Sequence, residues 1–453
     1  MLAWCSKSWL GNKLFFFFIL ICLNFRLYQS LAKLTAKFLT QKSGSINRGT
    51  ILALSPGRFR GDLHCLEQQG YRILRLDPYW LVRLPTVIFR LPIKPEILFQ
   101  KSYTPEVEAA FEKLNFHLVP FLGALGRELC IDITLSAATH YAFDYLWGQA
   151  LNKAGIPYVI LHRECFKASD YQQQYWKEYW SRMRNYEAHS ILVHNKACQE
   201  MFVNSGITTK ERCHAFGALR MDDFAKKLKL QTDITPSPPT LLFFSFFPGV
   251  GLPNADIWRP DRFGFTKLFK HAHRAFFRFL YKNPDVNGIL KLKWRGGDHE
   301  WENAIAECFL DEGLTHAQLD NLVITADGDS LDLLKSSTAV ISFGSTTMLE
   351  AAVSGKPVIV PTFAEAAESV MEDKVLHFKN LNRFNCAHSE EEFETLMSRG
   401  IAGKLKIDKE GARKLFEDWI APLDGEVASR HSAYFDTIIS DSQKNFGYKN
   451  ATF

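Results

Sequence analysis

Gly344, Ser345, Thr346, Thr347 and Glu350 are the residues of this 453-residue chain whose types and spacing best suit chemistry. They lie in Ala339-Val-Ile-Ser-Phe-Gly344-Ser345-Thr346-Thr347-Met-Leu-Glu350-Ala-Ala-Val-Ser-Gly355-Lys356-Pro357-Val-Ile-Val-Pro361. A buried strand is expected to end at Gly344, where the missing Cβ lets the chain turn closely against a ligand. Ser345 suits an N-cap, and Gly355 followed by Pro357 suits a helix stop. A helix N-terminus over 345–347 presents N–H groups and a positive dipole end, which suit a pyrophosphate. Thr346, Thr347 and Glu350 share a helical face, so the carboxylate stands one turn behind, placed to accept from ribose hydroxyls. The plainer alternative is a strand–helix–strand unit with a small-residue packing helix, which gives no reason for Glu350 among alanines.

Other residues suit the same chemistry. Lys291, Lys293 and Arg295 alternate onto one strand face, with Leu290, Leu292 and Trp294 on the other. Three cations on a strand of a covered sheet imply an anion nearby, unless the strand is an exposed edge. Two loops after predicted strands offer proton-transfer groups. Leu161-His162-Arg163-Glu164 presents His162 and Glu164 on the same side; Ser55 to His64 offers Asp62 and His64. Glu164 is the first choice of base and Asp62 the second, with Arg163, Arg58 and Arg60 as possible ion-pair partners for either. Nine scattered cysteines form no CxxC or Cys/His cluster, and no HExxH occurs, so no metal site is expected. Asp327-Gly-Asp329 is a D-x-D in letters only.

Behind these residues stands an alternation of strands and helices. Ile51–Leu54, Tyr71–Leu76, Ile131–Leu135, Tyr158–Leu161 and Ser190–Val193 read as strands. Helices are expected near 105–117, 120–129, 142–154, 171–187 and 196–204. After a polar, Pro-rich linker at 232–239 the pattern restarts, with strands at 241–247, 289–294, 322–324, 339–342 and 358–361. Helices are expected there at 266–282, 301–312 and 346–354. Parallel sheets covered on both faces follow, so the fold class is α/β with two Rossmann-like domains, 46–231 and 240–420. Such a pair leaves an interdomain cleft, and the absence of GxGxxG argues against an NAD-type site. The aromatic stripe of Tyr171, Tyr175, Trp176, Tyr179, Trp180, Met183 and Tyr186 suits packing, or a surface for lipid or glycan stacking.

The spacing G-x-x-[ST]-x-x-E-x-x-x-x-G-x-P resembles the donor-nucleotide helix of GT-B glycosyltransferases, and STTMLEAAVSGKPVIVP resembles bacterial surface-polysaccharide and capsule transferases, related to CDP-glycerol glycerophosphotransferase-like enzymes. That resemblance implies Glu350 on ribose and Ser345 to Thr347 on the diphosphate. His214-Ala-Phe-Gly217-Ala-Leu-Arg220-Met-Asp222 resembles the G-x-x-R-x-D that closes the N-terminal domain in such enzymes; Arg220 and Asp222 could also simply pair with each other. Gly288 to Asp298 resembles the strand and loop that meet donor phosphates, but reads Trp-Arg-Gly-Gly where His-Pro is common. Residues 421–453 resemble the C-terminal helix that returns to the N-terminal domain. The resemblance implies a metal-independent glycosyltransferase, with a nucleotide-sugar as co-substrate and no other cofactor. Its acceptor would be lipid-linked or a surface polysaccharide. The alternatives are a nucleotide-sugar 2-epimerase of the same fold, or an inactive nucleotide-sugar-binding scaffold.

Charge is uneven. The chain sums to +5, yet residues 1–48 carry seven Lys or Arg and no Asp or Glu, which leaves −2 for the rest and no basic groove for nucleic acid. Leu14–Leu23 is an apolar run too short to be a secure span. Leu31, Leu34, Phe38 and Leu39 then fall on one helical face, as in a helix lying on an anionic membrane. Residues 1–45 are thus expected to associate with the cytoplasmic face of a membrane; a signal peptide or a short span are the other readings.

Overall fold

The computed structural model describes residues 9–38, 40–59, 61–165, 167–184, 186–230, 236–252, 264–293 and 299–446. Residues 232–235 of the expected linker, Arg295 and the tail from 447 lie outside the described residues. The chain forms two compact units. One comprises Met1–Cys165, Lys177–Asp223 and Asp424–Phe453; the other comprises Phe166–Trp176 and Phe224–Leu423.

The strands of the first unit are β1 (Thr40–Ser43), β2 (Gly49–Ala53), β3 (Tyr71–Leu76), β4 (Ile133–Ser136), β5 (Tyr158–Leu161), β6 (Ser190–Val193) and β7 (Cys213–Ala215). In space they run β1-β3-β2-β4-β5-β6-β7, all parallel except the edge strand β1. Every residue of β2, β4, β5 and β6 is buried, as expected of parallel strands covered on both faces. β1 (Thr-Gln-Lys-Ser) is polar and has no apolar signal; pairing with β3 makes it a strand.

The last helix, Val427–Phe446, places Phe435, Ile438 and Ile439 in the core with Ile51, Ile73, Ile133 and Val159. Asp222 fixes where it begins. One carboxylate oxygen accepts from the Val427 N–H at 2.8 Å and the other from the Ala428 N–H at 2.7 Å, which satisfies donors a helix start leaves open.

The N-terminal segment forms two helices, Trp9–Asn24 and Tyr28–Phe38. Leu31, Ala32, Thr35 and Ala36 are buried, and the second helix packs on Pro105–Leu129. The apolar face expected on lipid therefore covers protein at Leu31. Among the described residues, no helix is long and apolar enough to cross a membrane. Pro105–Leu129 is one helix running through Pro120, where two were expected. Leu114, Leu118, Phe121, Leu122 and Leu125 bury one continuous face, and that packing offsets a proline cost of about 3 kcal/mol. The helix expected at 171–187 spans Asp170–Ser181 instead, and Met183 forms an isolated bridge with Gln100.

The second unit contains β8 (Thr240–Phe244), β9 (Asn287–Lys291), β10 (Leu322–Thr325), β11 (Ala339–Ser342), β12 (Val358–Pro361) and β13 (Asn385–Ala387). They run β10-β9-β8-β11-β12-β13, and all pairs are parallel. β9 ends at Lys291, not at residue 294, so Lys293 stands exposed beyond the end of the strand. In each sheet the first parallel strand has its successor on one side and a later strand on the other. The order therefore reverses between β2 and β4, and again between β8 and β11. Ligands of open α/β sheets bind outside the carboxyl ends of the strands at such points.

Candidate functional site

At the reversal in the second sheet, Phe244 of β8 lies level with Ser342 of β11. The chain leaves β11 through buried Phe343 and turns at Gly344, whose φ of 61° suits glycine. A Cβ there would fall 2.9 Å from the Val250 side chain, so Val250 fills the space expected for a ligand at that atom. The following helix is Thr347–Val353, with Thr346 rather than Ser345 in the cap position. Ser345 instead turns its Oγ back to accept from the Thr347 N–H at 3.3 Å, because its position one residue earlier brings it to that amide. The Ser342 and Thr347 hydroxyls are 2.9 Å apart.

Glu350 is 5% exposed. Its oxygens accept from Thr346 Oγ1 at 3.0 Å and from Ser330 Oγ at 3.1 Å. A buried carboxylate needs hydrogen-bond partners, and here hydroxyls on two elements supply them. Ser330 begins a helix 20 residues upstream that Asp329 caps by accepting from Leu331 N–H at 2.9 Å, so the D-x-D letters include a cap.

Lys291 does not join this group. β8 separates its strand from β11, and its Nζ donates to the carbonyls of Leu292 (3.0 Å) and Ala326 (2.6 Å). Burial pulls its ammonium below the usual lysine range, opposed by Asp327. Ser245, which sequence reasoning passed over, follows β8 at the crevice. Its hydroxyl donates to His273 Nε2 at 2.9 Å, because His273 Nδ1–H is committed to the Phe269 carbonyl at 2.7 Å. Trp301 Nε1–H donates to the same hydroxyl at 3.2 Å. Burial holds His273 down to about 3, so it is a neutral acceptor and a weak base.

The first unit sorts the expected proton-transfer residues apart. Asp62 is 1% exposed; one oxygen accepts the Arg220 N–H at 3.0 Å and the other meets Arg163 Nε at 2.7 Å. Both oxygens are thus engaged by arginines within the fold. His162 is buried, edge-on to Phe202 at 5.0 Å, whereas Glu164 is exposed. The two do not share a side, since β5 ends at Leu161 and strict alternation ends with it. His64 is exposed beside Glu67. Gly217 turns with φ 100° after β7. Arg220 and Asp222 do not pair with each other: Arg220 serves Asp62, and Asp222 caps Val427–Phe446. The Gly-x-x-Arg-x-Asp spacing is therefore a structural clasp within this unit.

The reversal between β2 and β4 holds a carboxylate that has no local sequence signal. Asp144, in the first turn of Ala142–Lys153, is 1% exposed and accepts from Ser55 Oγ at 2.6 Å and Ser136 Oγ at 2.9 Å. Burial pushes its carboxyl up to about 6, against the two hydroxyls and Arg58.

No protein-family model matches the chain, and no curated protein matches it. Solved structures do match in outline. The chain is similar to a putative UDP-N-acetylglucosamine 2-epimerase from Listeria monocytogenes at 13% identity, covering 88% of this chain and 97% of that one, with a TM-score of 0.47. It is similar to UDP-GlcNAc 2-epimerase from Neisseria meningitidis bound to UDP-GlcNAc at 10% identity, covering 85% and 98%, with a TM-score of 0.45. An α,α-trehalose-phosphate synthase (UDP-forming) from Burkholderia vietnamiensis is 10% identical over 88% of this chain and 100% of its own, with a TM-score of 0.45.

Proposed function

We propose that the chain is a nucleotide-sugar-dependent glycosyltransferase whose second unit holds the donor at the β8/β11 reversal. The observation that carries this reading is Glu350: a buried carboxylate held by Thr346 and Ser330, beside a hydroxyl-rich turn at the one edge of the sheet where ligands collect. Its oxygens are fixed acceptors for a vicinal diol such as ribose, and the Ser345–Thr347 turn is the neighbouring polar surface for a diphosphate. The acceptor is a lipid-linked or surface polysaccharide substrate handled by the first unit. Membrane contact through the N-terminal helices is supported by the acid-free, seven-cation stretch of residues 1–48 and by exposed Phe17, Phe18, Phe25 and Leu27.

The test is thermal stabilisation of the full-length protein by UDP-, CMP-, CDP- and GDP-linked sugars, with Glu350→Ala as control. One nucleotide class should raise the melting temperature of the wild type and not of the variant. No shift with any donor, in a folded sample, removes this reading.

A further inference from the structure

Asp144 is a buried carboxylate that, among the described residues, is hydrogen-bonded to two serines and feels the Arg58 charge without forming an ion pair with it. A lone charge in that setting is costly, and the fold retains it with two serine hydroxyls instead of a cation. Those serines come from the two strands that flank the reversal of the first sheet. Ser136 ends β4, and Ser55 follows β2 by two residues. Ser55 is also held at φ 46° and ψ 56°, the left-handed region that a residue with a side chain adopts at a cost. Its hydroxyl is half-buried at the carboxyl edge of the sheet, and its contact to Asp144 bridges 89 residues.

The hydrogen bonds accommodate Asp144 in either protonation state. Ser136 Oγ lies 2.9 Å from Asp144 Oδ2 and 3.1 Å from the Ala138 carbonyl, and its single proton can serve either. A proton arriving on Oδ1 leaves Oδ2 still accepting from Ser136. A proton arriving on Oδ2 is donated to Ser136, whose own proton turns to Ala138. Ser136 therefore keeps an acceptor for its proton in each of these arrangements.

We propose that Ser55 and Asp144 form the proton-accepting pair for the acceptor hydroxyl, with Ser55 touching that hydroxyl and Asp144 acting through it. The proposal rests on the transferase reading above. The acceptor oxygen bonds to the anomeric carbon as the bond from that carbon to the donor's phosphate oxygen breaks, and the nucleotide leaves with the electron pair. The acceptor's proton passes to Ser55 Oγ while the Ser55 proton passes to Asp144 Oδ1, and the neutral carboxyl later returns a proton to solvent.

Two measurements on the full-length protein test this. Infrared titration needs no substrate. A carboxylic-acid band with a midpoint near pH 6 should be present in the wild type, absent in Asp144→Asn, and moved to higher pH in Ser55→Ala, which lacks a hydrogen bond that favours the ionised form. The charged and titratable groups that face Asp144 are Arg58, Tyr141, Tyr158 and Tyr186, and burial raises the hydroxyls of all three tyrosines above the usual range. Nucleotide release from the donor that stabilises the wild type, with water as acceptor, should fall at least about 100-fold in Ser55→Ala and Asp144→Asn with donor affinity unchanged. Ser55→Gly relieves the left-handed strain and so guards against misfolding; it should be as inactive as Ser55→Ala. Variants that release nucleotide within threefold of wild type overturn the pair, as does the absence of an Asp144 band at pH 5. A wild type that no donor stabilises overturns the transferase reading itself, and the transfer role of the pair with it.

Discussion

Replacing Asp222 with alanine removes both acceptors at the start of Val427–Phe446. The carboxylate is 2% exposed and receives the Val427 and Ala428 N–H groups at 2.8 and 2.7 Å. Both residues are buried, at 0% and 3% exposure, so water cannot readily replace the lost partner. Hydrogen bonds to an ionised group contribute about 1.5–3 kcal/mol each, and a lost cap costs up to about 2 kcal/mol, so the expected loss is about 3–5 kcal/mol. For a unit of this size, about 2–4 °C per kcal/mol converts that to a fall in melting temperature of about 6–20 °C. Asp222→Asn should lose part of this, because the amide oxygen still accepts one N–H while its NH2 faces the other. Calorimetry reads the global effect, and amide exchange at Val427 and Ala428 reads the local one. A loss under about 1 kcal/mol with unchanged exchange at both amides would refute the clasp.

Asp62→Asn leaves Arg163 without its charged partner, and breaking a buried pair this way costs about 3–5 kcal/mol in a denaturant titration. Gly148→Ala should destabilise comparably, since a Cβ at that position collides with the buried ring of Tyr158 and the Asp144 helix must shift; circular dichroism melting checks it. Acid titration should reveal His431, which burial holds at about 4 while its Nδ1–H serves the Val427 carbonyl. Below about pH 6.5 the unfolded chain takes up a proton that the folded chain refuses until about 4. Stability therefore falls across that window by roughly 3 kcal/mol, and His431→Gln should flatten the fall. Asp144 has the opposite sign: its raised carboxyl adds stability that is full below about 3.8 and lost as pH rises through about 6, so Asp144→Asn should remove that gain.

Much of this architecture is legible in the chain because the central parallel strands are short, largely apolar runs. β5, β6, β11 and β12 span the residues their sequence predicts, and Thr266–Lys282 follows its helical period throughout. The polar edge strand β1 and the three-residue β7 exist only through their neighbours, so no window of sequence contains them. The Gly344–Glu350 group is legible because its residues lie within one short stretch of chain, between the end of β11 and the first turn of the next helix. Ser330, Ser245 and His273 reach that edge from other elements, and nothing local marks them. The arginines and carboxylates of the first unit were each visible, but not their pairing. Arg163 meets Asp62 across about a hundred residues, and Asp222 reaches 205 residues forward to the start of Val427–Phe446. Asp144 shows the limit most plainly. Its serines lie 8 and 89 residues away, on two strands whose adjacency only the sheet order supplies.

Direct calorimetric titration of the full-length protein with the nucleoside diphosphate that stabilises it, in wild type and Glu350→Gln, tests the central claim most closely. The variant keeps the shape of the side chain and loses one charged acceptor, worth about 1.5–3 kcal/mol, so affinity should fall roughly 10- to 150-fold while the fold survives. Equal affinity in the two proteins would contradict a donor site built on Glu350.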